Sequence, residues 1–160
     1  MTTSSDAIDQ ALNLRAGSPL AALRARRPEF VSGAEACRAA VLHPAADLGL
    51  SSDLRTALVR RITALAENPA LLAVFPEPSD PALAALARGE TPEDPALAAL
   101  ARHADMIAVD PARSGPDDLS ALQDAGFDVP QIIALSELFA YACYVIRVVH
   151  GLSLLEEASA

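Results

Sequence analysis

Residues 128–152 read DVPQIIALSELFAYACYVIRVVHGL, and Asp128, Pro130 and Gln131 together form a helix start. Beyond that start, Ile132, Ile133, Leu135, Leu138, Phe139, Tyr141, Val145, Ile146, Val148 and Val149 occupy nearly every face. A helix apolar all round is enclosed by other helices or by a partner subunit, so the stretch predicts a long central or interface helix over 129–150. It is long enough to cross a bilayer. Glu137 and Arg147 would be costly at membrane depth, however, and a buried or oligomer-facing helix fits better.

Upstream, Gly and Pro divide the chain into about eight helical segments. Alanine supplies 35 residues and aromatics 4%, a balance that favours helices, and the chain reads as all-α. A first helix is expected from Asp6 to Leu14, stopping at Gly17. Ser18-Pro19 opens a second that halts before Pro28, and Ser32 to Leu42 forms a third. After a loop through His43, Pro44 and Gly49, Ser51 or Ser52 caps a fourth. Its Leu54, Leu58, Ile62 and Leu65 make one buried stripe, with Arg55, Arg60 and Arg61 placed off it. Asn68-Pro69 caps a short apolar turn, Ala70 to Phe75, which Pro76 and Pro78 terminate.

The nonamer DPALAALAR then occurs twice, at 80–88 and 94–102. Two copies are too few for a solenoid, which needs three or more. An Asp cap, Pro at the first helical position and an Ala/Leu stripe are simply an effective helix used twice. The second copy continues through His103 to Val109. Ser114 with Asp117 has capping-box spacing, and Gly126 stops a helix from Pro116 to Ala125.

With 160 residues the chain fits one domain with one core. The net charge of −9 is unevenly placed: residues 1–64 carry 8 Arg against 6 acids, while residues 65–160 carry 4 Arg against 15 acids. The one basic cluster, Arg24, Arg26 and Arg27, is short and lacks aromatic neighbours, so nucleic acid is not an expected partner. Met1 to Gln10 is polar and acidic, unlike a secretory signal, and a cytoplasmic location is expected, with no membrane partner.

The groups that carry chemistry are few. Cys37 and Cys143 are 106 positions apart and read as small core residues rather than as a disulfide. Cys143 has Arg147 at i+4, a spacing that lets a guanidinium favour a thiolate, and it stands as the alternative nucleophile. Cys37 and His43 are six apart and share no helical face. His43, His103 and His150 are scattered singly, with His103 and His150 near expected helix ends, so no metal ion and no cofactor is expected. Glu137 and Arg147 differ by ten positions, roughly 80° around a helix and about 15 Å along it. They cannot pair with each other and are expected to face other helices or a second subunit.

The run ADMIAVDPARSGPDDLSALQDAGFDVPQIIALSELFAYACYVIRVVHGL, residues 104–152, resembles the C-terminal half of the carboxymuconolactone decarboxylase and alkylhydroperoxidase D (AhpD-like) superfamily. DAIDQALNLRAGSPLAALRARRP at 6–28 and VLHPAADLGLSSDLRTALVRRITAL at 41–65 are similar to the leading half of its CMD domain branch. The resemblance implies one all-α, AhpD-like domain over 1–160, with an N-terminal helical extension at 1–50 and a core at 51–155. It also implies a homo-oligomer of trimer or hexamer type. Active members reduce organic hydroperoxides through a Cys-x-x-Cys pair, with a Glu twelve positions before the first Cys and a His four after the second as proton relay.

Laid on this chain, that pattern puts Thr56 at the Glu position, Asn68 and Leu71 at the two Cys positions, Phe75 at the His and Ala70 at a further relay position. The chemistry needs an attacking thiolate, a resolving thiol and groups that lower the first thiol's pKa. None is present, and residues 44–102 contain neither Cys nor His. The resemblance thus implies a degenerate member without peroxidase activity, an oligomeric interaction or small-ligand-binding partner in peroxide-linked metabolism, alongside a paralogue that keeps its Cys-x-x-Cys. Leu71, Phe75, Phe139 and Tyr141 are expected to line the vestigial pocket. The alternatives are a weak one-Cys peroxidase using Cys143, a decarboxylase-like enzyme needing no thiol, and a structural subunit of a mixed oligomer.

Overall fold

Four of the nine helices among the described residues begin with a capping side chain followed directly by proline. Ser18, Asn68, Asp80 and Asp94 each accept a hydrogen bond from a backbone N–H two or three residues on, and the next residue in every case is Pro at the first helical position. In the computed structural model, which describes residues 6–158, these signals delimit an all-α fold. Its helices are α1 (Ala7–Ala11), α2 (Pro19–Ala25), α3 (Pro28–Leu42), α4 (Ser52–Leu65), α5 (Pro69–Val74), α6 (Pro81–Ala87), α7 (Pro95–Val109), α8 (Pro116–Asp124) and α9 (Val129–Glu157). A 3-10 turn, Pro111–Arg113, links α7 to α8. The segment expected to be a turn at 70–75 is the helix α5.

Helix α4 is the hub, packing against α5, α6, α7 and α9. Ala57, Leu58, Val59 and Ile62 are buried on it, as the apolar stripe requires, but Leu65 is 46% exposed. The larger departure concerns its arginines. Arg55 and Arg61, expected off the buried stripe, are 2% and 5% exposed. Each guanidinium is turned onto the C-terminal carbonyls of a neighbouring element. Arg55 donates to Val41 O at the end of α3 and to Asp47 O and Leu50 O in the loop after it. Arg60 donates to Leu72 O and Phe75 O at the end of α5. Arg61 donates to Leu86 O at the end of α6 and to Glu90 O, and forks onto both carboxylate oxygens of Asp105 on α7 at 2.6 and 2.7 Å. The last carbonyls of a helix have no intrahelical donor and sit at its negative end, so a cation there satisfies and stabilises them at once. Arg55 has its pKa lowered, chiefly by burial, with Asp47 and Glu137 opposing.

The hydrophobic core also draws on the N-terminal helices. Ile8, Ala11, Ala34, Val41 and Leu42 join the same buried cluster as Leu58, Leu100, Leu138 and Val149. A five-residue helix such as α1 cannot hold itself together and is stable here because it packs on α5 and α9. Asp6 caps it and pairs with Arg24 of α2 at 2.6 Å.

Three further boundaries differ from the sequence reading. Helix α3 begins at Pro28, and Ser32 lies within it, donating back to Pro28 O. Helix α8 is capped at Gly115, whose N–H donates to Asp118, while Ser114 closes the preceding 3-10 turn. Helix α9 starts with a reciprocal Asp128–Gln131 capping box and continues past Gly151 to Glu157. Glycine costs about 1 kcal/mol relative to alanine inside a helix, and packing of Leu152 against the core outweighs it. By length and composition α9 could cross a membrane, and half of its most apolar window is buried inside the protein.

Candidate functional site

Helix α9 carries a groove on each side. The first lies between α7 and α9, has a volume of about 520 Å³, and is walled by Ile107, Phe139, Ala140 and Val148. Into this apolar wall the two helices bring His103, Ser136, Cys143, Tyr144 and Arg147. They converge because 136, 139, 140, 143, 144, 147 and 148 repeat at three- and four-residue spacing along one side of α9.

His103 is the unusual member. It is 8% exposed, its ring stands 5.9 Å from that of Phe139, and its Nδ1 is buried with no hydrogen-bond partner among the described residues. Burial pushes its pKa below the ordinary value, against a weaker pull upward from Asp118, so the ring is neutral at pH 7. An imidazole with an unused nitrogen in an apolar wall can give or take one hydrogen bond from a molecule in the groove.

Cys143 is buried, and burial pushes its thiol pKa up. Arg147 pulls the other way through charge and a hydrogen bond, and burial outweighs it. The group at the groove wall is therefore a thiol and not a thiolate. Arg147 is exposed at the mouth, and no carboxylate pairs with it among the described residues. Cys143 and Arg147 also border a smaller hollow of about 320 Å³ with Ile62 and Ala108.

The second groove, about 630 Å³, lies between α3 and α9 and is lined by Phe30, Cys37, Val41, Glu137, Tyr141 and Tyr144, among others. Burial raises the Tyr141 phenol far above its usual range. Cys37, expected in the core, is exposed here because its side of α3 faces outward. Among the described residues no three His, Cys, Asp or Glu side chains gather as a metal site.

The positions singled out by the Cys-x-x-Cys pattern lie elsewhere. Thr56 is nearly buried in α4 and donates to Ser52 O. Asn68 caps α5 and accepts from Leu71 N at 2.9 Å, Ala70 is exposed, and Leu71 and Phe75 are fully enclosed in the core. Leu71 and Phe75 line none of the three hollows, whereas Phe139 and Tyr141 face the first and second grooves respectively. The expected four-residue pocket is thus dispersed over a packed core and two separate grooves. Compared with known families, curated proteins and solved structures, the chain matches none.

The expected helix through His103 to Val109 is α7, but His103, expected near its end as a surface imidazole, is buried in the middle of it. A signal for its burial exists. It shares the three- and four-residue spacing of Ala99, Leu100 and Ala104, all buried on α7.

Proposed function

We propose that this protein binds a small, mostly apolar molecule in the α7–α9 groove and does no chemistry on it. The observation that carries the reading is the neutral, buried His103, whose ring nitrogen has no partner among the described residues, in a mostly apolar groove. Binding grooves are typically apolar with a few placed polar groups, and a groove of about 520 Å³ is of ligand size. A ligand with one uncharged hydrogen-bonding group, such as an aromatic alcohol, fits that wall. Protonation of the imidazole would cost desolvation, so an uncharged polar group suits it better than a carboxylate.

The reading stays within a degenerate AhpD-like domain, a homo-oligomer in peroxide-linked metabolism. What supports that ancestry is the all-α architecture and the place of the two positions at a helix start, Asn68 as the N-cap of α5 and Leu71 in its first turn. A helix amino end is where a cysteine pair would have a lowered pKa. The second reading is hydroperoxide reduction by Cys143, favoured by its place beside Arg147 in the same groove. Its raised thiol pKa counts against it.

Calorimetric titration with naphthol tests the binding. Wild type should bind, Ile107→Trp should fill the groove and abolish binding, and His103→Phe should weaken it about tenfold, the worth of one hydrogen bond of roughly 1.4 kcal/mol. Absence of binding, or binding indifferent to both substitutions, rejects the site. Turnover of an organic hydroperoxide with a dithiol, lost in Cys143→Ser, would replace it with the second reading.

A further inference from the structure

The exposed side of α9 carries a stripe that the described residues leave uncovered. Ile133, Glu137, Ala140, Tyr144, Arg147 and Gly151 are all exposed and follow one another at spacings of four, three, four, three and four. That is the a/d spacing of a helix that packs along another helix, with a charge at two of the six positions, where polar residues set register and orientation. On a helix of 3.6 residues per turn these positions fall within roughly 100° of arc, and the stripe runs for most of α9. Ile133 and Tyr144 are 55% and 38% exposed, and neither Glu137 nor Arg147 has an ion-pair partner among the described residues.

We propose that this stripe is the interface for a second copy of the chain, with the two α9 helices antiparallel about a twofold axis at the level of Ala142. In an antiparallel pair an a position faces a d position, and a twofold makes every contact occur twice. Centred on Ala142, Glu137 meets the partner's Arg147, Ala140 meets the partner's Tyr144, and Ile133 meets the partner's Gly151. Each layer is complementary: opposite charges in one, a small residue against a large one in the other two. The stripe is complementary to itself in this register.

Other arrangements lose that match. A parallel pair sets Glu137 on Glu137 and Arg147 on Arg147. Sliding the antiparallel pair by one heptad sets Glu137 over the partner's Ala140 or the partner's Leu154, and leaves both charges unpaired. The unpaired charges therefore select one orientation and one register. Both grooves share Ala140 and Tyr144 of the stripe, so a second α9 laid along it roofs them on either side. The dimer stands independently of any ligand in the α7–α9 groove.

Sedimentation of the free protein, Glu137→Arg, Arg147→Glu and the double exchange decides it. Both residues are exposed on α9 and make no ion pair among the described residues, and circular dichroism should show unchanged helix content. Wild type should sediment as a dimer or an even multiple of it. Each single reversal creates two like-charge contacts and should weaken association by on the order of tenfold or more, and the double exchange should restore it. A wild type that is monomeric or trimeric, a single reversal that leaves the dimer intact, or a double exchange that fails to restore it overturns the proposal.

Discussion

His103 is held in surroundings that oppose its charge. Its pKa is lowered below 6.5 by burial. The unfolded chain then binds a proton more readily than the native one, so the stabilisation is complete above the unfolded value and is lost as pH falls from there through the lowered native value. Urea unfolding at a series of pH values should show wild type losing stability across that window, and His103→Leu should lose less of it. At pH 7 the variant should be unchanged or more stable by about 1 to 2 kcal/mol, since a buried nitrogen without a partner disappears. If both proteins fall in parallel below pH 6.5, the imidazole is not titrating in an apolar site.

At the scale of elements, the three α4 arginines act as C-terminal caps for helices other than their own. Arg61 is the most committed, with two carbonyls and a two-pronged carboxylate contact. Arg61→Met should strand Glu90 O, leave Leu86 O with the Gly89 N–H alone and unpair Asp105, at a cost of about 2 to 4 kcal/mol. For a domain of this size that lowers the melting temperature by roughly 5 to 15 °C. Asp105→Asn, which leaves both carbonyls served at a side chain 36% exposed, should cost less than half as much. Calorimetry of the two variants reads the difference directly. Helix starts such as Asp80-Pro81 and Asp94-Pro95 were legible in the sequence because a cap and its N–H lie within three residues. The burial of Arg55 and Arg61 was not, because the carbonyls they serve are brought in by folding, up to 29 residues away in the chain. The groove was half legible for the same reason. Cys143 and Arg147 stand four apart on one helix, whereas His103 reaches the same wall only through the packing of α7 on α9.

For the whole molecule, the long apolar helix 129–150 implied enclosure by other helices or by a partner, and the structure encloses one face within the chain and leaves the other exposed. One face buries Leu135, Leu138, Phe139, Ala142, Val145 and Val149 in the core, while the other leaves Ile133 and Tyr144 in solvent. Stability in such a chain should depend on how many copies are present. If the second face is covered only in the dimer, association contributes to the free energy of folding and its contribution grows with protein concentration. Thermal unfolding of wild type should therefore shift upward with concentration, whereas Glu137→Arg should melt at a temperature that does not depend on it. Glu137 makes no ion pair among the described residues and lies outside the buried core, and its attraction for Arg55 does not depend on concentration, so the concentration dependence alone reports the interface. A wild-type midpoint that stays fixed while concentration rises a hundredfold would mean that the exposed stripe of α9 contributes nothing to holding the native state.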